Sequence, residues 1–184
     1  SNLSHNLYFM KQIILACDDN GNFQEYIPKE EGHTGQGKRH LAITVLVYNS
    51  RGQVLLQKRK HKVFDNIWDF TASTHPLHTD SGDETLEQAT LRALKEEYEI
   101  EDVDLKRVGA FNYFAKTGEL CENEHDHLLI GEYNKGFKLN LTDAYEAKWV
   151  DKMEVLKDME SNPQKYTEWS KESLKLLKQS GFFD

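Results

Sequence analysis

Apolar positions along the chain fall into short runs punctuated by turn-forming residues, a rhythm set more by strands than by long helices. Residues 11–17 (KQIILAC) are branched and apolar. Asp18-Asp19-Asn20-Gly21-Asn22 is dense turn chemistry, and Phe23 to Pro28 bring the chain back, which predicts a hairpin. Residues 29–39 contain three glycines and several charges and read as a loop. Residues 41–48 (LAITVLVY) form a near-continuous apolar run, expected of a strand covered on both faces. A turn at Asn49-Ser50-Arg51-Gly52 precedes a strand at 54–57, and a basic loop over 60–66 precedes Ile67-Trp68-Asp69-Phe70 and Ser73-Thr74-His75-Pro76. Ser81 with Glu84 three residues on has capping-box spacing and predicts a helix from there to about Tyr98. Strands are predicted over 105–116, 126–134 and 145–150, and helices around 151–160 and 164–180. Interleaved strands and helices predict an α/β (α+β) fold, a mixed β-sheet sandwiched between α-helices.

With 184 residues, 38% of them hydrophobic, the chain can bury one substantial core. A single domain over residues 10–184 is expected. Residues 1–9 are set apart, because Asn6-Leu7-Tyr8-Phe9 resembles part of a protease-site tag and Met10 makes a natural start. The net charge of -8 argues against a nucleic-acid partner, although a metal and a few cations can reverse the field in one pocket. Cys17 and Cys121 lie in strand-like runs with no CxxC spacing, which points to reduced thiols and a cytoplasmic protein. No apolar run reaches membrane-spanning length, so no membrane partner is expected. The oligomeric state stays open between monomer and homodimer.

Chemistry enters with the helix around Arg92-Ala93-Leu94-Lys95-Glu96-Glu97. Arg92 and Glu96 share a face at a spacing of four, and Glu97 projects about 100 degrees round from Glu96. Adjacent carboxylates repel, whereas a hard cation such as Mg²⁺ gives a reason to cluster them and can bridge them to a diphosphate. A solvated acidic face is the plainer reading of such a pair alone. Glu122 and Glu124 point to one face if 122–124 is extended. Together with His33, His40 and His75 they supply donors suited to a second divalent metal, Mn²⁺, Zn²⁺ or Mg²⁺. A single histidine is more often a surface or satisfied core residue, and His5, His61, His78, His125 and His127 read that way.

Gly82, Glu84, Arg92, Leu94, Glu96, Glu97 and Ile100 resemble the Nudix box, with Glu84 eight residues before Arg92 as that pattern requires. Ala93 stands where the box has its first helical glutamate. Glu99 stands where it has its closing glycine, a left-handed helix end at which a side chain costs about 1 kcal/mol. Over residues 11–184 the chain resembles the type I isopentenyl diphosphate isomerases, a branch of the Nudix superfamily. The resemblance implies that His33, His40, His75, Glu122 and Glu124 bind one metal. It implies that Glu97 binds Mg²⁺ with the substrate diphosphate, and that Lys29, Arg59 and Lys62 contact that diphosphate. Trp169 would line the pocket and face a carbocation. Glu124 would move a proton with help from Tyr113, and Ser73 stands where the family has its second proton carrier, a cysteine. Because a hydroxyl is a far weaker acid than a thiol, three outcomes follow: an altered isomerase, a Nudix hydrolase cleaving a nucleoside or prenyl diphosphate with Mg²⁺ on Glu96 and Glu97, or a non-catalytic diphosphate-binding protein. In each, the partner is a small-molecule diphosphate.

Overall fold

The computed structural model describes residues 12–184. The proposed tag, residues 1–9, lies outside the described residues. The hairpin forms as β1 (Ile13–Cys17) and β2 (Phe23–Pro28), paired antiparallel from Ile13↔Pro28. The stretch read as a loop after Pro28 begins instead with a short helix, α1 (Lys29–His33). Pro28 starts it with a preset φ, and Glu30 and Glu31 complement the positive end of its dipole.

β3 (His40–Tyr48) is the hub of the sheet. It pairs parallel with β10 (Leu120–Glu132) and antiparallel with β6 (Ala72–Thr74). Short contacts join it to β1 and to β4 (Gln53–Arg59). β4 in turn pairs with β5 (Trp68–Asp69) and β11 (Ala144–Asp151), and β9 (Leu105–Thr117) forms a long hairpin with β10. β10 starts six residues earlier than the apolar pattern indicated, since Glu122 and Glu124 break the hydrophobicity while belonging to the strand.

The double-sided burial expected for β3 is observed. Ile43, Val45 and Val47 join a core with Leu94 and Tyr98 under α2 (Leu86–Tyr98). Leu46 faces the opposite core, with Leu128, Met159 and Leu177, under α3 (Lys152–Ser161) and α4 (Glu168–Ser180). Helices on both faces make this the sandwiched mixed sheet that the sequence predicts.

Ser81 is not the cap of α2. Residues 77–79 and 82–83 form a small hairpin, β7 (Leu77–Thr79) and β8 (Gly82–Asp83), with Gly82 at φ 107°. The capping box occurs four residues later. Thr85 Oγ1 accepts from the Gln88 amide at 3.1 Å, and Gln88 Oε1 accepts from the Thr85 amide at 2.9 Å. Two Ser/Thr positions carried the right spacing, and the glycine-turned hairpin consumed the first. Glu84 is thereby freed to receive Arg92 Nε at 2.8 Å and Nη2 at 2.9 Å, and it also accepts from the Leu77 amide. Helix α4 likewise begins at Glu168 rather than 164, because Pro163–Lys165 is a 3-10 turn and Thr167 caps the helix.

Helix α2 ends on Glu99 in the left-handed conformation, φ 54° and ψ 31°. Its amide closes onto the carbonyls of Leu94 and Lys95. Glu99→Gly is therefore expected to raise unfolding stability by about 1 kcal/mol, read as a higher urea midpoint at unchanged slope. A midpoint at or below that of the parent would show that the left-handed end carries no strain. Ala93 is 3% exposed and packed in the core under this helix, so a glutamate there would be buried against Val45 and Leu94.

Candidate active site and metal centre

Strand register brings the site together. In the parallel β3–β10 pair, Glu124 lies opposite His40, and in the β9–β10 hairpin it lies opposite Tyr113. His40, Glu124 and Tyr113 thus form one row across three strands. Helix α1 swings His33 over this row, and the chain leaving β6 supplies His75. The three imidazole rings sit 4.6, 5.0 and 4.9 Å apart, centroid to centroid. One donor atom from each of His33, His40, His75, Glu122 and Glu124 lies within 4.8 Å of all the others.

Two glycines permit this closeness. A β-carbon on Gly32 would meet Ile14 at 2.9 Å and His40 Nδ1 at 3.0 Å. Gly37, at φ 61°, would drive one to 2.2 Å from the Gly32 carbonyl.

Backbone carbonyls fix the tautomers of two of the rings. His33 Nδ1 donates to the Lys29 carbonyl at 2.7 Å, and His40 Nδ1 donates to the Lys38 carbonyl at 2.7 Å. With the proton on Nδ1, the Nε2 of each neutral ring presents a lone pair. Those lone pairs face carboxylate oxygens, His33 to Glu122 at 3.2 Å and His40 to Glu124 at 3.1 Å, while His75 Nε2 reaches the same Glu124 oxygen at 2.7 Å. Lone pairs opposed at this distance require protons or a cation between them. Burial drives His75 down to about 3 against the pull of Glu124, which favours neutral imidazole there. The donor set, three imidazoles and two carboxylates with two of the rings held by backbone carbonyls, fits a borderline divalent metal.

Glu124 divides its two oxygens. Oε2 faces His40 and His75, and Oε1 accepts a hydrogen bond from the Tyr113 hydroxyl. Burial opposes ionisation of Glu124, but the His40 and His75 rings beside it outweigh that and hold the carboxyl well below its usual range. Burial and the charge of Glu124 push Glu122 up, with His33 offsetting in part. Tyr113 is raised well above the ordinary phenol range, first by burial and then by Glu124.

The remaining residues expected at the site divide into two groups. Ser73 lies on β6 opposite Thr44, and its Oγ donates to Asp69 Oδ2 at 3.1 Å. Arg59 reaches the same oxygen at 3.3 Å, and its guanidinium stacks 4.8 Å from the Trp169 ring centre. Trp169 is buried among Tyr113, Ala115, Phe64 and Phe111, with Arg59 already over its ring. Arg59 also donates to the carbonyls of Val63 and Phe64, so its fork is partly spent on the loop. Lys29 is partly buried, pushed down by burial and held up by Glu122 and Glu124. Lys62 and Glu96 are exposed. Glu96 lines a surface groove with Lys60, Glu99 and Lys138, apart from the histidine cluster.

Glu97 alone of the acidic pair turns inward. Burial and the charge of Asp143 push it up to about 8, with Gln57 and Arg59 pulling the other way. Because its folded pKa is raised, metal-free stability from this group is full below pH 4.5 and lost as pH rises through about 8. A divalent cation bound there must displace that proton. Apparent Mg²⁺ affinity is therefore expected to rise by up to about tenfold per pH unit towards pH 8 and then level off. Calorimetric titration at several pH values checks this, and an affinity flat across that range would remove Glu97 from the ligands.

Sequence reasoning assigned no role to Asp69. The available signal was one acidic residue between Trp68 and Phe70, in a run otherwise apolar enough to be buried.

A mixed sheet between helices, a five-donor cluster that could hold a metal and an Arg–Glu-braced helix together define a Nudix-type enzyme. The NUDIX domain family matches residues 38–170, and the chain belongs to that family. It is similar to Isopentenyl-diphosphate Delta-isomerase 2 of Photorhabdus laumondii, 32% identical over 165 residues covering 88% of this chain and 90% of the relative. Isopentenyl-diphosphate Delta-isomerase of Nocardia farcinica is 32% identical over 89% of this chain and 93% of the relative. Isopentenyl-diphosphate Delta-isomerase 2 of Aromatoleum aromaticum is 30% identical over 87% and 83%. In fold, the crystal structure of DR0079 from Deinococcus radiodurans matches with a TM-score of 0.61 at 16% identity, covering 83% of this chain and 90% of that one. The protein is thus an enzyme of isomerase or Nudix hydrolase type. No helix among the described residues is long and apolar enough to cross a membrane.

Proposed function

We propose that the protein isomerises isopentenyl diphosphate to its dimethylallyl isomer by paired proton transfer. The observation that carries this reading is the division of Glu124 between His40 and His75 on one oxygen and Tyr113 on the other. That geometry supports a carboxyl–phenol pair that moves protons beside residues that could hold a metal. A divalent metal held by His33, His40, His75, Glu122 and Glu124 would supply fixed positive charge, and Mg²⁺ at Glu97 would neutralise a diphosphate.

The chain's own residues do the rest. The Tyr113 hydroxyl donates to Glu124 Oε1, and this pair would exchange a proton with an alkene carbon or an allylic one. Ser73, on β6, serves the opposite proton transfer. Phe64, Phe111, Tyr113 and Trp169 pack together as an aromatic cluster beside Glu124, a surface that would suit a short hydrocarbon tail and keep water from a carbocation. Lys29 and Arg59 favour the anionic end, while exposed Lys62 acts at the rim. The hydrolase reading is weaker here. Of its helical carboxylates, position 93 is an alanine in the core and Glu96 faces outward, leaving Glu97 alone.

The test is NMR of the protein with isopentenyl diphosphate, Mg²⁺ and Mn²⁺ in D₂O, following proton and phosphorus signals. Deuterium entry with formation of the dimethylallyl isomer supports the proposal. Released phosphate with intact carbon signals replaces it by the hydrolase, and saturable binding without turnover replaces it by a non-catalytic diphosphate binder.

A further inference from the structure

Asp69 is fully buried, and hydrogen bonds converge on both its oxygens. Oδ1 accepts from the Phe70 amide at 2.7 Å, Ser170 Oγ at 2.8 Å, Trp169 Nε1 at 2.9 Å and Thr167 Oγ1 at 3.3 Å. Oδ2 accepts from Ser73 Oγ at 3.1 Å and Arg59 Nη1 at 3.3 Å. One carboxylate therefore fixes three side chains already placed at the pocket, from β4, β6 and α4. Such a buried charge is tolerable only because it is paired and hydrogen-bonded.

A serine hydroxyl has one proton to donate. Here that proton is committed to Asp69, so Ser73 can meet a ligand only with its lone pairs. We propose that Asp69 is the positioning residue that makes Ser73 a proton acceptor in this enzyme. The inference rests on the isomerase reading and adds to it the direction in which Ser73 works.

In the step, the allylic C–H bond next to the carbocation breaks and its electron pair becomes the new double bond. The proton passes to Ser73 Oγ as the serine's own proton passes to Asp69 Oδ2, and the pair resets when that proton leaves back through the part-exposed Ser73 after product departs. A proton beside a carbocation is strongly acidic, so a hydroxyl backed by a carboxylate is base enough. Protonating the alkene is the demanding step, and it falls to Glu124 and Tyr113. The serine's weakness as an acid is then no obstacle in this direction.

Asp69→Asn keeps the shape and the Oδ1 contacts but places an N–H donor towards Ser73 and Arg59, so that the Ser73 hydroxyl accepts from position 69 and its own proton turns towards the ligand. In the D₂O assay, kcat of the variant is expected to fall about 100-fold with KM changed by less than about threefold. Ser73→Ala is expected to show a similar loss, and the double variant no further loss beyond about threefold, because the two act as one unit. Thermal melting and tryptophan fluorescence check that the variant keeps its fold. If it does not fold, a proton inventory on the parent protein decides: curvature expected for two protons moving together supports the relay, and a linear dependence overturns it. A variant with parental kcat, or one with raised KM alone, also overturns it while leaving the isomerase reading intact. Absence of deuterium exchange in the parent removes the isomerase reading and this role with it.

Discussion

Glu124→Gln is expected to lower isomerisation by about 10³-fold, and to weaken binding of the divalent metal at the histidine cluster by at least about 100-fold. The size of the effect follows from how many tasks one carboxyl carries. Its Oε2 is the common neighbour of His40 and His75, and its Oε1 is the partner of the Tyr113 hydroxyl. An amide keeps the volume and one acceptor oxygen, so the β9–β10–β3 row has no steric reason to open. What it loses is the charge that draws a cation and the ability to take up a proton. Metal content per protomer after dialysis and steady-state kinetics measure the two losses separately. Tyr113→Phe should cost kcat alone, by about tenfold or more, since the phenol contacts Glu124 on the oxygen away from the histidines. A Glu124→Gln protein that kept both metal and turnover would sink the assignment of this cluster.

Much of the architecture was legible because strand and helix periodicities differ. The apolar run at 41–48 declared a strand covered on both faces, and β3 is that strand. Where the reading slipped, two local signals competed. Ser81 and Thr85 offered the same capping spacing, and only the glycine turn at Gly82, visible once β7 and β8 pair, decides between them. Glu122 and Glu124 hid the first part of β10 because polar residues facing a site break the apolar pattern of their strand.

The site was legible only in part, for a related reason. Metal-ligand residue types are rare enough to notice, and resemblance assembled them across a separation in sequence from His33 to Glu124 that no local rule spans. Register then accounts for their meeting, through Glu124↔His40 and Glu124↔Tyr113. Asp69 carried no comparable mark. Its importance comes from six neighbouring residues contributed by three separate segments, which sequence spacing cannot reveal. Glu96 and Glu97 are adjacent and chemically alike, yet the helix turns one outward and leaves the other half-buried near Asp143, which only the placement of α2 on the sheet determines.

Ser73→Cys is expected to raise kcat by at least about tenfold, with KM and metal content little changed. The thiol sulfur would occupy the position of an oxygen that is already oriented, 3.1 Å from Asp69, so no new geometry has to be built. A thiol ionises several units nearer neutrality than a hydroxyl, so it can give as well as accept the proton, and both directions of the isomerisation gain. Asp69 keeps a role by raising the thiol's pKa through its charge, which keeps the sulfur protonated at neutral pH and limits the gain. The double variant Ser73→Cys/Asp69→Asn separates the two effects. It should keep the gain or enlarge it, because a neutral amide no longer raises the thiol's pKa and a thiolate needs no carboxylate to take up the proton. Rates measured by product NMR across pH 6 to 9 would show the acid limb of the profile moving as that thiolate forms. A Ser73→Cys protein no faster than its parent would mean that proton transfer at position 73 does not limit turnover, and that the hydroxyl serves the pocket through its hydrogen bond alone.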